Sequence, residues 1–435
     1  MNENSNIFLN KKILIYGLGK SGFSSFKFLK KKNKVFLFDD SKKINLSKKY
    51  HKNLISHSQI KKIKFDSIIL SPGININKCK IKKYLKKNLK IIYTDLDVFN
   101  YFYNNLCITI TGTNGKSTTC QLLYQVLKKQ KLDVKLAGNI GYPILSLKNI
   151  KKDTIFVIEA SSYQLEYSKL FKSKYAAILN ISHDHLERHK TISNYVSAKF
   201  KLVENQNKNS TTFINKHDKH IQNKIKKNSY KSKIIKIDTK LKNKFISSFK
   251  NEYFLSLSNI ENLSFVIEIA KRFNIKKSNL INVVKKFKGL KYRQQIVFKN
   301  KKISIINDSK STSYSSSIEM LKRNNNIYWL LGGIPKKGDM FNLSKNYCKN
   351  IRGFIFGANH KKFSLDLINK IKLKKFSNLN KALNELFNDI KKDNSSKKTI
   401  LFSPAAASFD SFKNFEDRGQ YFNKLIKRYI NVKNI

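Results

Sequence analysis

TGTNGKST, residues 111–118, is the stretch on which the fold reading turns. It follows the apolar run LCITI (106–110) and precedes TCQLLYQVLKK (119–129), whose apolar residues recur at helical spacing. A glycine-rich turn between strand and helix suits a phosphate. The glycines let backbone N–H groups close on phosphate oxygens, and the helix N-terminus adds partial positive charge. Lys116 is placed to reach the β- and γ-phosphates, and the Ser117 hydroxyl suits Mg2+. The spacing from Gly112 to Lys116 is G-x-x-G-K, shorter than the usual GxxxxGKS/T. The alternative is an ordinary glycine turn. ATP is expected on Gly112, Thr113, Asn114, Gly115, Lys116, Ser117 and Thr118.

Working downstream, IFVIE (155–159) is an apolar run that ends on Glu159. A carboxylate at the carboxyl edge of the same sheet is a natural Mg2+ ligand. NISHDHLERH (180–189) then places His183, His185 and His189, three of eight histidines, within seven residues. No cysteine is near and the HDH spacing does not match a zinc helix. One histidine is therefore expected to work with Mg2+ or substrate. Lys199 lies 14 residues after His185 on a predicted helix and by itself reads as one solvated lysine among 81.

Upstream, KILIY (12–16), GLGKSG (17–22), a helical stretch at 23–30 and a strand at 35–38 ending on Asp39 open a nucleotide fold of the GxGxxG type. Alone this is weak evidence for NAD, because the same turn serves other phosphates or none. Beyond residue 290, strands at 303–307, 327–332, 353–357 and 399–403 alternate with helices at 315–323, 380–391 and 412–429. Strand–helix alternation throughout predicts an α/β protein with parallel sheets. Three domains are expected: a Rossmann-like one over 1–103, a P-loop ATPase-like one over 104–289, and a second Rossmann-like one over 290–435.

The chain has 435 residues, 88 of them Lys or Arg and 28 Asp or Glu, for a formal charge of +60. Such a balance suggests nucleic acid. Yet 81 of the 88 are lysine and seven arginine, spread along the whole length, whereas nucleic-acid readers lean on the bidentate guanidinium. The profile is that of an AT-rich coding sequence, and no specific nucleic-acid partner is expected. No apolar run approaches the ~20 residues that span a bilayer, so no membrane partner is expected. MNENSNIFLNKK at the start has no apolar h-region, and the four cysteines form no CxxC. A cytoplasmic protein is expected. The bias also makes scarce types informative: the glycines gather at 17–22, 112–115, 138–141 and 332–338.

TGTNGKS, EASSYQLE (159–166), NISHDHLERH, Ala198-Lys199, KYR (291–293) and NDSKST (307–312) stand in the order seen in the Mur ligases. These are the ATP-dependent amide-bond ligases of peptidoglycan precursor synthesis, and the resemblance covers essentially the whole chain. GLGKSG with SPGI (71–74), LGGIPKKGD (331–339) and SPAAASFDSFKNFEDRG (403–419) most resemble the branch that adds D-glutamate to UDP-N-acetylmuramoyl-L-alanine. The DNPR stretch of the branch that adds a diamino acid is absent.

The resemblance implies a reaction through an acyl phosphate, with Lys116, His185 and Lys199 as catalytic residues. It implies Mg2+ at two sites, one on Ser117 and Glu159, the other on His185 and Lys199, the lysine as its carbamate. Asn262, Arg293 and Asp308 would join the loop in binding ATP. Ser21, Asp39, Gly73, Asn139 and His185 would hold the uridine nucleotide-sugar, so the first glycine loop is not an NAD site. Thr312, Lys336, Ser408 and Phe415 would form the D-glutamate pocket. A monomer serving cell-wall biogenesis, cell shape and division is implied. A folate polyglutamylating ligase would lack the first domain. A basic nucleic-acid-binding P-loop protein would show a local Arg/aromatic stripe, which is not found. A degraded, inactive homologue is opposed by the intact set Lys116, Ser117, Glu159, His185, Lys199, Arg293 and Lys310.

Overall fold

The apolar runs pair into three sheets. The computed structural model describes residues 6–41, 46–239, 251–336, 338–395 and 397–433. The first sheet holds β1 (Lys12–Tyr16), β2 (Lys34–Phe38), β3 (Ser67–Leu70) and β4 (Ile92–Tyr93), parallel and in the order β2-β1-β3-β4. The second holds β5 (Cys107–Thr111), β6 (Val134–Gly138), β7 (Ile155–Glu159), β8 (Tyr175–Ile178), β9 (Thr211–Asn215) and β10 (Lys233–Ile237), all parallel, in the order β10-β9-β8-β5-β7-β6. Both belong to one compact unit, Met1–Phe287. The second unit, Lys288–Ile435, carries the third sheet.

That third sheet runs β11 (Gln295–Lys299), β12 (Ile303–Asn307), β16 (Lys398–Phe402), β13 (Ile327–Gly332), β14 (Ile351–Phe356) and β15 (Lys372–Phe376). Only the β11–β12 pair is antiparallel. The central strands are buried along their whole length, as parallel strands covered by helices on both faces must be. β4, β6, β11 and β15 were not read from the sequence. Each lies at a sheet edge, and in the last three lysines interrupt the apolar run: VKLAG, QIVFK and KLKKF.

The strand orders decide where ligands gather. In the first sheet the order reverses between β1 and β3; in the second, β5 has β7 on one side and β8 on the other. Loops leaving the carboxyl ends of such strands border a crevice. They are 17–22 and 71–74 in the first sheet, and 112–115, 160–161 and 179–185 in the second.

Asp97, on the helix Asp95–Phe102, joins the segment that follows the first sheet to the loop before β8. One carboxylate oxygen accepts from the Ser168 hydroxyl at 2.9 Å and from the backbone N–H groups of Lys169, Leu170 and Phe171 at 2.9, 2.8 and 3.1 Å. The other accepts from Thr94 N–H at 2.8 Å and caps the helix. Asp97→Ala leaves buried donors without an acceptor and is expected to lower stability by about 3 kcal/mol. Thermal unfolding of the full chain checks this, and an unchanged midpoint would show that the carboxylate is dispensable. Among the described residues no helix is long and apolar enough to cross a membrane.

Candidate active site

The loop after β5 closes tightly because Gly115 takes a left-handed φ of +82° and a side chain there would run into Asn262 Oδ1. Thr113 N–H donates to the Asn180 carbonyl at 2.8 Å and Asn114 N–H to Asn180 Oδ1 at 2.9 Å. Asn180 in turn donates to Glu261 at 2.7 Å. Asn262 Oδ1 accepts from Thr119 at 3.2 Å. Ser117 and Thr118 begin the helix Lys116–Lys129, so the loop lies at a helix N-terminus.

Two lysines meet on one oxygen. The Lys116 ammonium donates to the carbonyls of Gly112 at 2.9 Å and Thr113 at 2.7 Å. Lys199 Nζ, on the helix Ile192–Glu204, donates to the same Gly112 carbonyl at 2.8 Å and lies 4.5 Å over the Tyr195 ring. Lys199 is 1% exposed. Burial, and next the charge of Lys116, hold its pKa well below that of an ordinary lysine. Of the two, the buried Lys199 is the one whose charged form is disfavoured.

Beside them, Ser117 Oγ donates to Glu159 Oε2 at 2.6 Å, and Asn139 Nδ2 donates to Glu159 Oε1 at 3.0 Å. A hydroxyl and a carboxylate in contact at a phosphate loop are hard oxygen donors and fit Mg2+. Among the described residues no group of three or more His, Cys, Asp or Glu is arranged to hold a metal. Mg2+ needs no such cage, since it is commonly bound by one or two carboxylates together with substrate phosphates.

The three histidines separate. His185, at a left-handed φ of +54°, receives or gives a hydrogen bond at 2.8 Å between Nδ1 and the Tyr163 hydroxyl. His189 is buried against Ser162 Oγ at 3.0 Å, and burial pushes its pKa down to about 4. It is a neutral core group. His183 faces His220, ring centroids 6.2 Å apart.

In the first sheet, Gly17 packs so closely on Ser71 and Ile74 that a side chain there would clash, and Ser71 Oγ donates to the Gly17 carbonyl at 2.6 Å. Gly73, at the tip of that second turn, faces open space. Ser21 is turned inward, donating to the buried Asp95 at 2.6 Å, and Asp39 accepts from the N–H groups of Leu18 at 2.6 Å and Ser41 at 2.8 Å. Both side chains shape the first glycine loop from within.

In the second unit, the loops after β12, β16 and β13 leave neighbouring strand ends. Buried Asp308 accepts from Ser311 Oγ at 2.5 Å, Ser403 Oγ at 3.0 Å and Gln294 N–H at 3.1 Å. Burial raises its pKa to about 6 against these bonds. Arg293 sits between Tyr292 and Gln294, both at positive φ. Lys310 Nζ lies 3.7 Å from the Phe415 ring centroid, and Ser309 Oγ donates to the Phe415 carbonyl at 2.9 Å. Thr312 is exposed, Lys336 half-buried and Ser408 buried. Arg418 is fully buried and donates to Ser309 Oγ, Ser309 O, Gly332 O and Ala406 O at 2.8–3.3 Å, so it fastens all three loops.

Sequence reasoning passed over Asn180, Tyr163, Tyr195 and Glu261, which position the loop, His185 and Lys199. Asn180 and Tyr163 were inside the quoted motifs, but Asn and Tyr are too common here to stand out.

The Mur ligase middle domain matches residues 110–283, and the N-terminal domain of MurD-like Mur ligases matches residues 11–93. The UDP-N-acetylmuramoylalanine–D-glutamate ligase of Rickettsia prowazekii (strain Madrid E) is 33% identical over 98% of this chain and 99% of its own. The enzyme of that name from Buchnera aphidicola subsp. Schizaphis graminum is 36% identical over 97% and 98%. Among solved structures, the MurF ligase of Thermotoga maritima in complex with ADP superposes with a TM-score of 0.58 at 14% identity, covering 98% of this chain and 97% of that one. The UDP-N-acetylmuramate–alanine ligase MurC of the same organism gives 0.55 at 16%, covering 98% and 100%. These two show the fold. The full-length relatives and the matched domains, set on a phosphate loop with its lysine, serine and glutamate in place, show that the chain is an enzyme of the Mur ligase family and belongs to its UDP-N-acetylmuramoylalanine–D-glutamate ligases.

Proposed function

We propose that this chain joins D-glutamate to UDP-N-acetylmuramoyl-L-alanine at the expense of ATP, in the cytoplasm and as a monomer. The observation that carries the reading is the convergence of Lys116, Lys199, Ser117 and Glu159 on one phosphate loop. In the first step a substrate carboxylate oxygen attacks the γ-phosphorus, the bond to the bridging oxygen breaks and ADP leaves. In the second the glutamate amine attacks the acyl phosphate carbonyl, loses a proton, and phosphate departs.

Lys116 and the loop N–H groups hold the phosphates and spread the charge that develops between them. Mg2+, when bound, neutralises phosphate charge and polarises the γ-phosphoryl group. Ser117 and Glu159 would hold one ion and His185 with Lys199 a second. Unmodified, Lys199 offers Mg2+ no oxygen donor. Its lowered pKa favours addition to CO2, forming an N–C bond and releasing a proton, and the resulting carbamate is an anionic oxygen donor. Thr113, Asn114, Gly115, Thr118 and Asn262 are assigned to ATP, as are Arg293 and Asp308. Ser21, Asp39, Gly73, Asn139 and His185 are assigned to the nucleotide-sugar. The chain divides for this purpose at 1–103, 104–289 and 290–435.

Glutamate brings two carboxylates, and a pocket that buries them must pair both. Lys336 follows the Gly332-Gly333 end of β13, and Thr312, Ser408 and the backbone near Phe415 offer neutral donors. Lys336→Ala is expected to raise the KM for D-glutamate at least ~10-fold, the cost of a lost charged hydrogen bond, and to leave that for ATP nearly unchanged. Phosphate release with ATP, UDP-N-acetylmuramoyl-L-alanine and a panel of amino acids tests the whole reading. Equal release with L-alanine, L-glutamate and D-glutamate would remove the amino-acid assignment and leave the ligase chemistry.

A further inference from the structure

We propose that Arg188 is a positioning residue for the nucleotide-sugar, setting the distance between the turn that receives the uridine diphosphate and the histidine that faces the reacting end; this rests on the reaction assigned above. Its guanidinium is buried. Nη1 donates to the Ile74 carbonyl at 2.6 Å and reaches the Pro72 carbonyl at 3.4 Å, gripping both sides of Gly73 from behind. Nε donates to Glu166 at 2.9 Å, at the end of the helix Ser162–Glu166. The guanidinium carbon lies 4.8 Å from the Tyr163 ring centroid, and the Tyr163 hydroxyl is the partner of His185 Nδ1. One side chain thus touches the 72–74 turn and the tyrosine that orients His185.

The turn it holds is also the wall of the first glycine loop, since Gly17 packs on Ser71 and Ile74. The ATP loop is fastened by other residues, Asn180 and Asn262. A disturbance at Arg188 therefore falls on the 72–74 turn and on His185, and leaves the bonds that fasten the ATP loop in place. Composition supports the need for this residue type. Lysine outnumbers arginine 81 to seven in this chain, and a lysine here would offer a single ammonium. It could not reach a carboxylate on one side and two carbonyls on the other, which takes the planar fork.

The test is steady-state kinetics of Arg188→Lys and Arg188→Met in the full chain. The KM for UDP-N-acetylmuramoyl-L-alanine is expected to rise at least ~10-fold in both, as for a broken charged hydrogen bond. The KM for ATP is expected to change less than twofold. Unchanged values, or equal rises for both substrates, would overturn the inference. Should either variant lose its native melting transition, Glu166→Gln serves instead. It keeps the arginine but removes its anchor, and is expected to raise the nucleotide-sugar KM alone by a few-fold. No change there would be equally fatal. A wild-type chain that releases no phosphate with these substrates would overturn the reaction itself and this inference with it; an active wild type with indifferent variants overturns Arg188 only.

Discussion

Lys199→Met is expected to abolish turnover and at the same time raise the melting temperature. The two effects share one cause. Lys199 is buried with its amine on the Gly112 carbonyl and, among the described residues, no carboxylate pairs with it. Its folded pKa is depressed well below 10.5, so below that value the unfolded chain binds a proton that the folded chain does not. Stability is then lost as pH falls from about 10.5 toward the folded value, and at neutral pH linkage works against the fold. Methionine has nearly the same length, leaves little cavity and carries no proton to lose. In CO2-free, chelated buffer the midpoint should rise by ~1–2 °C for each kcal/mol recovered. Turnover should fall at least ~10²-fold, the scale set by losing one electrostatic group at a reacting centre. Wild-type activity should depend on bicarbonate, and Lys199→Ala should regain some activity with chloride or short carboxylates. A Met variant that is fully active would remove the second metal site from the mechanism.

Lys116→Ala is expected to lower kcat by ~10²–10³ or more. The β- and γ-phosphates lose the charged group of the loop, and backbone N–H groups alone carry the developing charge. The substitution has a second effect. The Lys116 charge is one of the terms that depress the Lys199 pKa, after burial, so its removal lets that amine hold a proton more readily and makes it a poorer nucleophile toward CO2. The variant should therefore need more bicarbonate than the wild type to reach its own maximal rate. Near-normal turnover in a phosphate-release assay would show that the loop does not bind the reacting phosphates.

Much of this site could be read from residue order. A strand, a short glycine turn and Lys-Ser specify the loop, because backbone geometry there admits few residue types. Glu159 was legible for a similar reason: a lone acid closing an apolar run is conspicuous. Lys199 was not. Nothing in 81 lysines marks the one that is buried, and only resemblance singled it out. The internal bonds of Ser21 and Asp39 were also hidden, since a sequence does not say which neighbours a hydroxyl or carboxylate meets. Here they point inward, at Asp95 and at Leu18 N–H. Among the edge strands β2 was legible, whereas others escaped where lysine breaks the apolar pattern while leaving the backbone free to pair.

Arg418 holds three separate stretches of chain by four oxygen atoms, three of them backbone carbonyls. Such a knot has a dynamic meaning. Any of the three stretches that lifts must give up its own bond to a fully buried guanidinium and leave a buried donor unpaired. Opening at any one of them is therefore costly. The strand ends of the third sheet are thereby tied to one another through one side chain.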